Sequence, residues 1–454
     1  MALDDAVRIE APGVTPATAP LGFWAAYRTA RRNVLELIPE AAYREPVLTG
    51  GRNPGWIMVM DPPALERVFK RAEAYPKSRI LKRLMRPRRG ENLVIAEGAA
   101  WRWRRRAMAG PFAPAAVAAC APAVASAAET ACRRLRESGG RAVDVHPVMV
   151  DASCDVICDV ALSGREAVDR ERLTASVNAF VRRSARISLL DLLGAPGWLP
   201  RPGELMGGGR AGMDRMLDAI VAARLARGPS GPPDLLDLMI AARDPETGRG
   251  LDTVGLRNDL AAFLFAGHET TALALSWSLW ILAAAPAVQD RAAEEARAAL
   301  GAEAATAEAY ERLPYVRRVV EEALRLFPPA GFLTRTAAED DELAGRPVRK
   351  GQSVILPIYA LHRHKALWAR PTAIDPDRFA LERAAGRHRF AYLPFGAGPR
   401  VCIGASLAMI EATLILATLV ARLRVTAPEG RPPKPAMWFT LRPEGGIPLE
   451  VSPR

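Results

Sequence analysis

Residues 395–404 read "FGAGPRVCIG", and the apolar run "ASLAMIEATLILATLVARL" follows directly. Cys402 closes a turn that holds three glycines, a proline and an arginine. A helix beginning just after it would aim unpaired backbone N–H groups and a partial positive charge at the sulfur. Both favour thiolate over thiol. Gly396, Gly398 and Gly404 let the backbone approach a bulky flat group. Amides near the sulfur can then donate to it. Arg400, two residues upstream, can hold an anion beside it. Taken alone, the stretch also fits a turn before a helix with a buried cysteine.

The chain has 454 residues, half of them hydrophobic, enough for a large core. Its five cysteines, Cys120, Cys132, Cys154, Cys158 and Cys402, are too sparse for a disulfide scaffold and suit a reducing cytosol. Cys154 and Cys158 share a helix face and read as core. The net charge of +12 admits nucleic acid, an anionic membrane or an acidic protein as partners. The densest basic patch is "KSRILKRLMRPRR" at 77–89, with "WRWRRR" at 101–106. No Cys/His finger, RNA-recognition signature or helix-turn-helix spacing accompanies it, so no nucleic acid is expected. The first twenty residues hold no apolar core of the signal-peptide kind. The uncharged stretch Thr270–Gln289 is long enough to cross a bilayer. His268 and Glu269 precede it, however, Pro286 interrupts it, and the apolar pattern extends upstream through "LAAFLFAG". It reads as a buried central helix rather than a membrane span.

The pattern predicts a helix over 22–38, a strand at 55–60 and a helix opened by Pro62 and Pro63. From there to about 325 it is nearly all helical, apart from a Gly/Pro-rich loop at 193–209. After Pro328 and Pro329 the segment 343–361 alternates like two strands joined by a Lys-Gly turn. The expectation is one domain, 1–454, mainly α with a smaller β portion at about 45–60, 330–360 and 435–454.

Phe395, Gly398, Arg400, Cys402 and Gly404 have F-x-x-G-x-R-x-C-x-G spacing, which resembles the haem-binding loop of the cytochrome P450 superfamily. Further motifs stand in that family's order and carry the resemblance over most of the chain. In "EEALRLFPP", Glu322 and Arg325 stand at i and i+3 on one helix. Arg378 in "DPDRF" matches the third member of a structural triad that locks the cysteine loop. In "AGHETT", residues 266–271, an acid and an alcohol interrupt an apolar helix, which costs stability unless they are used. The resemblance places this motif over the distal face of a haem. Glu269 and Thr270 would supply protons for dioxygen activation, and Gly267 would give oxygen room. His268 falls at a variable position and is not expected to be a ligand. Trp101 and Arg105, at i and i+4, would hold a haem propionate, with Arg335 and Arg400 as further contacts. Arg102, Arg104 and Arg106 read as a solvated face.

The resemblance therefore implies the cytochrome P450 fold, with haem b between a long central helix and the cysteine-loop helix, and Cys402 as axial thiolate. It implies a monooxygenase that inserts one oxygen atom from dioxygen into an apolar organic substrate, most simply by hydroxylation. No flavin-binding stretch or C-x4-C-x2-C spacing is present, so NAD(P)H-derived electrons would come through a ferredoxin and its reductase. A cytoplasmic monomer is expected. The pocket would draw on 79–95, 175–210, Ala262–Ala266, Ala330–Leu333 and Met437–Thr440, hence Phe263, Ala266, Phe332, Leu333, Trp438 and Phe439. A peroxide-driven haem-thiolate enzyme and a non-catalytic haem-binding protein are the alternatives; the intact Glu269–Thr270 pair counts against both.

Overall fold

The computed structural model describes residues 9–163 apart from 52–53 and 87–89, residues 210–454 apart from 229–230, 302–305, 429 and 431, and positions 169, 171–176, 179 and 188 between them. The loop expected at 193–209, and nearly all of the pocket segment 175–210, lie outside the described residues.

The longer helices that position the site are α1 (Phe23–Arg32), α2 (Pro62–Lys70), α3 (Arg79–Met85), α4 (Gly98–Ala107), α5 (Ala121–Arg136), α6 (Val145–Leu162), α7 (Arg210–Arg227), α8 (Thr253–Ala284), α9 (Pro286–Leu300), α10 (Pro314–Leu326) and α11 (Ala405–Arg422). α8 is apolar on nearly every face and is buried along most of its 32 residues, as a helix at the centre of a core must be. Asp252 caps it by accepting from the Gly255 N–H at 2.7 Å. Pro286 ends it, and α9 leaves at 116°. α6 lies along α8, and α11 packs against α5, α8 and α9. α11 is long and apolar enough to cross a membrane, but most of it is buried among these neighbours.

Four strands, β1 (Val47–Gly50), β2 (Trp56–Val59), β4 (Leu333–Thr336) and β7 (Ser353–Leu356), form a sheet in the order β1-β2-β7-β4. Its β2–β7 pair is parallel and the other two are antiparallel. Between β4 and β7, β5 (Asp341–Leu343) and β6 (Arg346–Val348) make a separate hairpin. Two short strands, β3 (Ala142–Asp144) and β8 (Leu423–Thr426), flank β11 (Pro448–Pro453), and β9 (Lys434–Met437) pairs with β10 (Leu441–Glu444).

Two local expectations need correction. The Lys350–Gly351 turn joins no hairpin. The β5–β6 hairpin turns instead at Ala344 and Gly345, whose φ values are +48° and +73°, and β7 leaves to pair with β2 and β4. The helix expected over 22–38 ends at Arg32. Asn33 is extended, its Oδ1 accepts from the Met437 N–H at 3.0 Å, and its Nδ2 donates to the Pro435 carbonyl at 3.0 Å. Tertiary pairing with β9 outweighs helix continuation at that residue.

Glu411 lies buried on α11, and burial pushes its carboxyl up to about 8, with the nearby Ser153 hydroxyl opposing. The folded group keeps a proton that an unfolded glutamate releases near 4.5. Its contribution is therefore complete below about pH 4.5 and is lost as pH rises to about 8. Thermal melts of Glu411→Gln are expected to fall less between pH 6 and 9 than those of the parent. Parallel curves for the two proteins would contradict this.

Candidate functional site

The cysteine loop is shaped by its own backbone. The Cys402 N–H donates to the Phe395 carbonyl at 2.9 Å, and α11 starts three residues after the sulfur. Gly396 and Gly398 have φ of +68° and +67°, a region costly for any residue with a side chain. A Cβ on Gly398 would also lie 2.4 Å from the Phe69 carbonyl oxygen of α2. This glycine thus serves contact with α2 as well as the turn.

The Cys402 thiol is reachable by solvent, yet protein surrounds it closely enough for burial to push its pKa up. Both are true of a group on the wall of an interior space. The Gly404 N–H donates to the sulfur and Arg105 of α4 lies near it, and each favours the thiolate.

Beside this loop Lys77, Arg335 and Arg400 line a common cavity with Glu97. Arg400 stacks on Trp101, 4.1 Å from the ring centre, donates to the Ala96 carbonyl at 2.7 Å and pairs with Glu97. Arg335, buried on β4, donates to the Thr334 carbonyl at 3.0 Å. Burial and the Arg400 charge lower its pKa to about 10. Burial, with Arg400 and Arg335, lowers Lys77 to about 7. Two arginines and a partly charged lysine against one carboxylate leave an excess of positive charge that a ligand with two carboxylates would offset. A reachable thiol beside such a cluster fits haem, with the sulfur for iron and the cations for its propionates.

Across the site, Ala266 and Thr270 are open to solvent, one turn apart on a helix that is buried on either side of them. The Thr270 hydroxyl donates to the Ala266 carbonyl at 2.8 Å. Phe263, one turn before, stacks on Phe112 at 5.6 Å. Phe112 in turn lies 3.7 Å from where a Gly404 Cβ would stand, so one ring bridges α8 and the start of α11. Sequence reasoning missed Phe112, which sits in the short turn Gly110–Phe112 without periodic context.

Glu269 is a correction. Its carboxylate is fully buried and points to β10, accepting from Arg442 Nε at 2.6 Å and Thr440 Oγ1 at 3.2 Å. Neighbouring residues of a helix point about 100° apart, and a buried carboxylate requires a cation. The structure does not bring Glu269 and Thr270 together as a relay. Gly267 is a second correction: a Cβ there would meet Ile157 of α6 at 2.6 Å, so its missing side chain admits a neighbouring helix. His268 is buried, with Nδ1 at 2.8 Å from the Leu264 carbonyl. Arg104, expected on a solvated face, instead reaches buried Asp259 at 3.2 Å, while Arg102 and Arg106 are exposed.

Of the other pocket candidates, Leu333 lies against the cysteine loop, 3.8 Å from a Cβ position on Gly396. Phe332 is half-buried against the core. Phe439 packs on Phe265 at 5.6 Å, on the Glu269 side of α8. Trp438 is corrected: its indole N–H donates to the Arg32 carbonyl at 2.8 Å at the exposed surface beside α1.

Glu322 accepts from Arg325 at 2.7 and 2.8 Å and from Arg378 at 3.2 Å, all three side chains being buried. The remaining guanidinium groups bind the carbonyls of His362, Ala369, Arg370, Pro371 and Ala373. The triad therefore clamps the segment 362–378 rather than the cysteine loop itself. His362 carries the link onward: its Nε2 accepts from the Leu393 N–H at 2.8 Å. Burial lowers its pKa to about 3, which keeps that nitrogen an acceptor.

The family model "Cytochrome P450" matches residues 50–449. The chain is 32% identical over 390 residues to "Cyclooctatin synthase" of Streptomyces melanosporofaciens, covering 85% of this chain and 84% of that protein. It is 31% identical to "Cyclooctat-9-en-7-ol 5-monooxygenase" of the same organism, over 79% of this chain and 76% of that protein. "Cytokinin hydroxylase" of Arabidopsis thaliana is 30% identical over 80% of this chain and 72% of its own length. Among solved structures, a "cytochrome P450DA heme domain" superposes with a TM-score of 0.81 at 25% identity, covering 97% of this chain and 98% of that one.

Proposed function

The chain belongs to the cytochrome P450 family and is a monooxygenase, and from that premise we propose that Cys402 is its haem ligand and that it inserts one oxygen atom from dioxygen into an apolar small molecule. One observation carries the reading: a solvent-reachable thiol at a helix start, beside a cluster of cations that outnumber their carboxylates. Haem bound at this site supplies the activation of dioxygen.

The remaining work falls to the chain's own residues. Cys402 ligates iron as thiolate, favoured by the Gly404 N–H and Arg105. Trp101, Arg105, Arg335 and Arg400 hold the propionates, and Phe395 packs beside the loop. Phe263, Ala266, Phe332 and Leu333 offer apolar walls, which suit an apolar substrate. Thr270 holds a proton on Oγ1 at the open face of α8. Glu269 joins the proton supply only on leaving Arg442. Electrons come from a ferredoxin and its NAD(P)H-dependent reductase, meeting a basic protein of net charge +12. Five free cysteines favour a cytoplasmic setting.

Thr270→Ala is expected to lower the share of electrons that ends in product by about ten-fold or more, with a matching rise in peroxide and unchanged substrate binding. Coupling equal to the parent would remove Thr270 from the proton supply. For the function itself, a compound library read by spin-state shift identifies substrates. Turnover with a surrogate ferredoxin system under isotopically labelled dioxygen should then place one labelled atom in product. Product formed from hydrogen peroxide but not from dioxygen and electrons would overturn this in favour of a peroxide-driven enzyme.

A further inference from the structure

Asp259, Phe263, Ala266 and Thr270 stand at i, i+4, i+7 and i+11, so they form one stripe along α8. The stripe is open at Ala266 and Thr270 and closed at Asp259, which is fully buried. What covers Asp259 is the segment joining α3 to α4. Asp259 Oδ1 accepts from the Leu93 N–H at 2.6 Å, and Oδ2 accepts from Arg104 Nη1 at 3.2 Å. Arg104 Nη1 also donates to the Glu91 carbonyl at 3.3 Å. Asn92 stiffens the segment internally by accepting from the Ile95 N–H at 3.2 Å. Leu93 and Ile95 are themselves buried. The Asp259 carboxylate, with the neighbouring Asn258 amide donating to the Glu91 carbonyl at 3.4 Å, thus ties a compact turn to the central helix, one helical turn beyond Phe263.

We propose that Asp259 is a positioning residue, whose carboxylate holds residues 91–96 as the wall at the Phe263 end of the substrate space and so governs how readily substrates enter and leave. The assignment of that space rests on the functional reading above. Most acids are ionised at neutral pH, but burial pushes Asp259 up to about 6. Arg104 from α4 and the Leu93 N–H oppose the rise, and Glu91 from the segment adds to it. The neighbouring Arg257–Asp218 pair links α8 to α7. Protonation of Asp259 weakens its hold on Arg104, so the wall loosens as pH falls through about 6.

The test uses haem-loaded full-length protein with 4-phenylimidazole as the probe, read at the Soret band, and amide hydrogen exchange without added ligand. Asp259→Asn keeps an acceptor for Leu93 but loses the charge that Arg104 needs. Arg104→Gln breaks the same pair from the other side, in case the first variant folds poorly. Each is expected to raise azole association and dissociation rates, and exchange at residues 91–96, by about ten-fold. Exchange in 272–282 of α8 should stay unchanged, and the double variant should be no faster than either single one. Entry in the parent should quicken below about pH 6, and in Asp259→Asn it should lose that pH step. Rates and exchange within about two-fold of the parent in both variants would overturn the proposal. If the parent binds no azole, the substrate-space reading fails, and the exchange measurement alone decides whether Asp259 holds the segment.

Discussion

Cys402→Ser is expected to abolish oxygen insertion while leaving the protein folded. The Sγ atom accepts the Gly404 N–H and feels Arg105, and a serine hydroxyl of similar size can accept the same N–H. A side chain of similar size at a solvent-reachable position keeps the fold, so the stability of the haem-free protein should change by no more than about 1 kcal/mol. The chemistry differs sharply. A serine remains protonated where a thiol meeting a metal ion gives up its proton, so the variant offers no anionic soft ligand. Circular dichroism and thermal melts should match the parent, while product formation with the surrogate ferredoxin system falls below detection. Retained turnover would move the ligand role to another residue.

Glu322→Gln is expected to have the largest effect on folding. The glutamate accepts from Arg325, Arg378 and the Asp375 N–H at 2.9 Å, and the two guanidinium groups are almost wholly buried. Removing its charge leaves buried Arg325 with carbonyls and the Trp368 ring and buried Arg378 with Asp375 only at 4.0 Å, a loss on the order of 3–5 kcal/mol. Those carbonyls belong to 362–373, and His362 ties that segment to Leu393 at the entrance of the cysteine loop. Lower stability should therefore appear together with lower haem content. A urea titration and a haem-to-protein ratio check both, and a midpoint and ratio equal to the parent would refute the clamp.

The cysteine loop was legible because its constraints are local: positive φ at Gly396 and Gly398, a proline, and the helix start behind the sulfur. The triad was legible for a similar reason, since Glu322 and Arg325 share one turn and Arg378 follows a proline. Residues whose role is fixed by a distant partner were not. Asn33 breaks a helix for the sake of β9, and Gly267 is small because Ile157 of another helix fills its side. Glu269 faces Arg442, 173 positions along the chain, and Arg104 reaches inward to Asp259 although its neighbours Arg102 and Arg106 face solvent. Charge patterning sees a row of arginines; only packing decides which of them meets a buried acid. Phe112 was invisible for want of any period around it.

Every role proposed for the site depends on ligation of haem iron by the Cys402 thiolate. The reduced, haem-loaded protein exposed to carbon monoxide tests it most directly. Thiolate ligation predicts the strongly red-shifted Soret band of a haem-thiolate carbonyl complex, lost in Cys402→Ser. A folded, fully loaded parent whose carbonyl band stays at the position given by a nitrogen ligand would contradict it.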